Sequence, residues 1–99
     1  MEIKTGKVNC AHWRACYFED KNLCVAKYNF GSDMMISSEY YEITKELFDK
    51  LSTPDCNNEK AVDLIKKSRL LYSFSDGRWG GPMSKCYDEN WQNLCDWGF

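Results

Sequence analysis

Four side chains of the kinds zinc prefers, Cys10, His12, Cys16 and Cys24, fall within fifteen residues near the start of the chain. Three thiolates and one imidazole would close a tetrahedral structural site. No C-x2-C knuckle is present, and a missing ligand would have to come from Cys56, Cys86 or Cys95. The same six cysteines in 99 residues also read as the framework of a small secreted domain, for which fifteen disulfide pairings exist, or as buried thiols used as small apolar groups. Cys86 and Cys95 are one local candidate for a bridge.

Cys56, in the run Pro54-Asp55-Cys56-Asn57-Asn58, stands at an expected helix start, where the dipole and free N–H groups favour a thiolate. A nucleophilic role would need His12, the only histidine, as its base, and no fold argument joins the two. Nothing resembles a phosphate-binding glycine loop, a serine nucleophile elbow or an HExxH site. The chain is therefore expected not to be an enzyme.

Two further groups point to binding. Glu39, Glu42, Glu46 and Asp49 recur at helical spacing and would line one narrow face, either solvated or imitating a phosphate backbone. The fifteen aromatic residues exceed what one small core needs. Tyr72, Phe74, Trp79, Trp91 and Trp97, with Arg78 beside them, are candidates for a docking surface, because interfaces favour Trp, Tyr and Arg.

The elements that must position these groups follow from periodicity. Trp13, Ala15 and Tyr17 alternate with Arg14, Cys16 and Phe18, and the polar run Glu19-Asp20-Lys21-Asn22 predicts a hairpin turn. With the turn centred on Asp20-Lys21 or on Lys21-Asn22, Trp13, Ala15 and Tyr17 share a core face with Cys24, Ala26 and Tyr28. Cys24 then points away from Cys16.

Phe30-Gly31-Ser32-Asp33 predicts the next turn, and Met34-Met35-Ile36 a short third strand. Ser37 or Ser38 would cap a helix through about Leu51, with Tyr40, Ile43, Leu47 and Leu51 on its apolar stripe and Glu46 and Lys50 as an i,i+4 pair. A second helix is expected from Asn57 or Asn58 to about Arg69, burying Ala61, Val62, Leu64 and Ile65. Leu70 to Ser75 reads as a strand, and Asp76-Gly77 predicts a two-residue turn that places Phe74 opposite Trp79. A last short helix would span Asp88 to Asp96. The fold expected is α+β: one domain over 1–99, with an antiparallel sheet made of an N-terminal and a C-terminal hairpin packed against two or three helices.

The net charge is −2, so no overall field attracts nucleic acid or anionic lipid. The charge is nevertheless blocked: residues 1–30 carry five basic and three acidic side chains, 31–59 two and seven, 60–85 six and two, and 86–99 none and three. No apolar run is long enough to span a bilayer and the first residues lack a signal-peptide stretch, which predicts a cytoplasmic protein, or a secreted one if a signal has been removed. The leading expectation is a small non-enzymatic protein that occupies a macromolecular partner, most simply another protein, as a phage or mobile-element inhibitor of host machinery would. The alternatives are a zinc-stabilised module acting as an adaptor or meeting nucleic acid through the basic 60–85 block, and a secreted disulfide domain.

Overall fold

A computed structural model describes residues 2–8, 11–32, 35–51, 53–54, 56, 58–77 and 81–87. Six strands, β1 (Glu2–Val8), β2 (Ala11–Phe18), β3 (Leu23–Ser32), β4 (Met35–Ile43), β5 (Arg69–Gly77) and β6 (Gly81–Cys86), pair in sequence order as one antiparallel meander. Two short helices, α1 (Lys45–Lys50) and α2 (Asn58–Lys66), lie between β4 and β5 in the chain. The expected α+β arrangement of two hairpins under two or three helices is thus corrected. One continuous sheet dominates, and both hairpins are parts of it.

The N-terminal hairpin forms as its alternation implies. Trp13 pairs with Tyr28, Ala15 with Ala26 and Tyr17 with Cys24. The turn is a 3-10 segment, Glu19–Lys21, closed by Asn22 in the left-handed region at φ 47° and ψ 48°. Asparagine tolerates that conformation better than residues with bulkier or branched side chains.

Small residues then decide where the helices sit. Ala15 and Ala26 are fully buried side by side on the sheet, and Ala61 of α2 is fully buried above it. α1 packs against β2 and β3, and α2 against β1, β3 and β4. The core on this near face joins Trp13, Cys24, Tyr41 and Ile43 to Phe48, Leu51 and Ile65.

The long helix expected from Ser37 or Ser38 does not form. Residues 35–43 are β4, and helix begins only at Lys45, capped by Thr44, whose Oγ1 accepts a hydrogen bond from Leu47 N at 3.0 Å. The reason lies in a sequence that satisfies two periods at once. Tyr40, Ile43, Leu47 and Leu51 recur at helical spacing, but Ser37, Tyr41 and Ile43 also alternate, and all three are buried on one side of a strand. Adjacent tyrosines and isoleucine favour a pleated surface, and β3 supplies the partner that decides the contest.

The C-terminal hairpin is corrected too. Asp76 and Gly77 remain in β5, paired with Pro82 and Gly81, so Phe74 faces Ser84 instead of Trp79. β5 runs on because β4 extends beside it, with Ile36 opposite Asp76 and Met35 opposite Gly77. A β-bulge beside Tyr40 and Tyr41 leaves Leu71 without a direct β4 partner. Leu71 joins Cys16, Phe18 and Val25 in a second buried cluster on the far face, the side turned away from the helices. α2 agrees with expectation in burying Ala61 and Ile65, with Val62 and Leu64 half-buried, though it stops at Lys66. The expected helix over Asp88 to Asp96 lies outside the described residues.

Candidate functional site

The sheet divides the expected zinc ligands. Cys16 shares the far face with Val25, while Cys24 is opposite Tyr17 on the near face, so one ion cannot reach both sulfurs. His12 lies on the same face as Cys16 but four residues along the strand, about 13 Å away. Cys10 lies outside the described residues. Among the described residues no three His, Cys, Asp or Glu side chains come together as a metal site would require.

Cys16, Cys24 and Cys56 are buried thiols outside any disulfide. Burial pushes the Cys16 thiol up from its ordinary pKa, against the pull of Arg14, which hydrogen-bonds to it. Burial likewise raises Cys24, against the attraction of Lys45. Both are expected to resist iodoacetamide in the native protein at pH 8 and to be alkylated fully in 6 M guanidinium. Mass spectrometry of the two digests reads this directly, and modification of both under native conditions would contradict the burial described.

The acidic side chains do not form one helix face. Glu39 and Glu42 belong to β4 and emerge on opposite sides of the sheet, while Glu46 and Asp49 belong to α1. Glu42 meets Arg69 across the strands at 3.7 Å, Asp49 meets Lys45 at 2.6 Å, and Glu46 meets Lys50 at 3.9 Å in the expected i,i+4 pair. Glu39 lies by the Tyr41 hydroxyl, whose pKa is pushed up to about 12 by burial first and then by that carboxylate. Among the described residues these four side chains form no continuous acidic ridge.

The basic 60–85 block is similarly dispersed. Lys60, Lys66 and Lys67 are exposed on or just after α2, Arg69 faces Glu42, and Lys85 lies over the Tyr87 ring at 4.9 Å. Tyr72 and Phe74 are half-buried on the far face, with the Tyr72 ring 5.9 Å from that of Tyr40. Arg78, Trp79, Trp91 and Trp97 lie outside the described residues.

What the sheet does assemble is a cationic surface at the β1 end of the far face. Two cross-strand rows build it: Lys7, His12, Asn29 and Ser38 in one, Thr5, Arg14, Lys27 and Tyr40 in the next. Thr5, Lys7, His12 and Arg14 are exposed, and Lys27 is half-buried with its ammonium 5.3 Å from the centre of the Tyr40 ring. Ser38 Oγ donates to Asn29 Oδ1 at 2.6 Å, a bond that engages the amide's oxygen and not its nitrogen. Thr5, Lys7, His12, Arg14 and Asn29 border a depression of about 420 Å³, whose floor includes Gly6 and Trp13.

No acidic residue occupies either row among the described residues. Arg14 stands directly opposite Lys27, and like charges so placed repel by about 0.2–1 kcal/mol. Lysines on an edge strand such as β1 guard against sheet-to-sheet association. β2 and β3 have partners on both sides, so that reason does not extend to Arg14 or Lys27. Three cations from the weakly basic first block therefore converge where the sheet alone would prefer mixed charge.

Of these residues, only His12 was among the expected ligands or binding residues. The signal for the others was present in the hairpin: a turn centred on Asp20-Lys21 puts Arg14 opposite Lys27. Lys7 required β1, whose sequence Glu-Ile-Lys-Thr-Gly-Lys-Val offers few apolar residues to reveal a strand. Among the described residues no helix is long and apolar enough to cross a membrane. No protein-family model, curated protein or solved structure matches this chain.

Proposed function

We propose that this chain is a non-enzymatic binding protein that occupies an anionic macromolecular partner, using the cationic rows of the far face as part of its docking surface. The observation that carries the reading is the directly opposed Arg14–Lys27 pair on two interior strands, with Lys7 beside it. Two cations carried on neighbouring interior strands offer an anion a shared site. A cytoplasmic setting belongs to the same proposal, supported by the thiols of Cys16, Cys24 and Cys56.

Chromatography on immobilised heparin tests it, because the acidic net charge of −2 works against non-specific retention. The parent protein is expected to be retained at low salt and Arg14→Gln/Lys27→Gln to flow through. A charge-matched control, Lys50→Gln/Lys67→Gln, is expected to elute with the parent. If the parent is not retained, or the control loses retention equally, the reading fails.

A further inference from the structure

We infer that the anion this surface takes is the sugar–phosphate backbone of a single-stranded nucleic acid, an assignment that rests on the docking reading above. An acidic protein is the competing occupant, and the lining of the depression argues against it. Its exposed side chains are Thr5, Lys7, His12 and Arg14, with half-buried Asn29 beside them, and none of these is the apolar anchor around which protein interfaces concentrate their binding energy. Of the exposed large apolar residues among those described, Met83 and Tyr87 lie at the other end of the sheet, and Ile3, on β1 two residues from Thr5, does not line the depression.

Hydroxyl, amide and guanidinium donors around a shared cation cluster are instead the set that contacts phosphate and sugar oxygens. Strand spacing places the backbone of Arg14 about 5 Å from that of Lys27 and about 8 Å from that of Lys7, with Lys7 and Lys27 about 12 Å apart, room for two or three phosphates. The same rows continue into rings. Thr5, Arg14 and Lys27 lead to Tyr40 and Tyr72, while Lys7, His12 and Asn29 lead through Ser38 to Phe74. A backbone tracking the cations would bring its bases toward those rings, the combination by which single strands are held without sequence preference. The half-buried Tyr72 and Phe74 already stood out in the sequence as docking residues, and this placement couples them to the cations.

Fluorescence anisotropy with a labelled twelve-nucleotide oligothymidylate decides the matter. Binding at 50 mM salt is expected with Kd on the order of 10–100 μM, falling about 15-fold by 200 mM, as roughly three phosphate contacts imply. Arg14→Gln/Lys27→Gln should remove most of the affinity and flatten the salt dependence to that of about one contact. Lys7→Gln, on the edge strand, should weaken binding several-fold even if the double variant folds poorly. Phe74→Leu, which keeps apolar bulk while losing the ring, should weaken binding several-fold with the salt dependence unchanged.

Heparin retention without oligothymidylate binding, or equal displacement of the oligonucleotide by polyglutamate, would overturn the nucleic-acid assignment and leave the docking reading standing. Loss of heparin retention itself would remove both. Oligothymidylate binding unaffected in all three variants would place the nucleic acid elsewhere and overturn the assignment.

Discussion

Phe48→Ala is expected to lower the free energy of unfolding by about 3–5 kcal/mol, the range for emptying a buried phenylalanine site. Phe48 is 0% exposed and stands at the centre of the near-face core. α1 has only six residues, too short to persist on its own, so its position depends on this side chain. The ring centre lies 5.9 Å from that of Tyr17. Lys4 Nζ, on β1, is 4.6 Å from the ring centre and donates to Phe48 O at 2.8 Å. Removing the ring thus takes away the packing of α1 against Tyr17 and Lys4, while the Lys4 bond to the Phe48 carbonyl remains. A domain of this size has about 5–15 kcal/mol in total, so the variant should be largely unfolded in moderate urea where the parent is native. Equilibrium denaturation followed by circular dichroism measures the difference, with Phe48→Leu as a milder comparison. A loss below 1 kcal/mol for Phe48→Ala would show that α1 is docked by other means.

The second large effect is expected at Gly6, where a close approach and no special backbone angle demands glycine. A Cβ there would overlap the Trp13 indole and the Asn58 side chain. Trp13 is 2% exposed, and its Nε1–H donates to Asn58 Oδ1 at 3.2 Å, fastening β2 to the first turn of α2 across β1. Any larger residue must push the indole off this site or open the β1–β2 ladder. Gly6→Val is expected to lose about 2–3 kcal/mol through overpacking, with a fall of roughly 10 °C or more in the melting temperature. A double-mutant cycle identifies the cause: in a Trp13→Leu background the penalty of Gly6→Ala should shrink markedly. If Gly6→Ala is as stable as the parent, or the penalty is unchanged without the indole, the proposed overlap is not what glycine relieves.

These two sites show how differently the parts of this chain could be read. Trp13, Ala15, Tyr17, Cys24, Ala26 and Tyr28 were legible as one core face because alternation groups them under either of the two turns that the polar run allowed. The contents of α2 were legible from Ala61 and Ile65 at helical spacing. Gly6 was opaque, since its need for a small residue arises from an indole seven positions away and an asparagine more than fifty away. The segment 37–43 was misread because the periods of helix and strand overlap in it, and only the edge of β3 resolves them.

The candidate surface divides along the same line. Arg14 opposite Lys27 follows from one of the two turns the hairpin allowed, so half of the charge cluster was within reach of the sequence. Lys7 and Thr5 join it only because β1 pairs with β2, and Tyr72 and Phe74 approach it only because β4 and β5 continue the rows. The grouping of Glu39, Glu42, Glu46 and Asp49 dissolved for the same cause: strand geometry sends successive side chains to opposite faces, where a helix would have gathered them.

By itself, then, the sequence determined which residues of the first hairpin face the core, that its turn lies within residues 19–22, and which side of α2 is apolar. Only the tertiary structure decided how far β5 runs, that 35–43 is strand, and which cations share a surface. The physical reason is range. Alternation and turn chemistry act over a few residues, whereas the length and register of each further strand are set by hydrogen bonds to a neighbour distant in the chain.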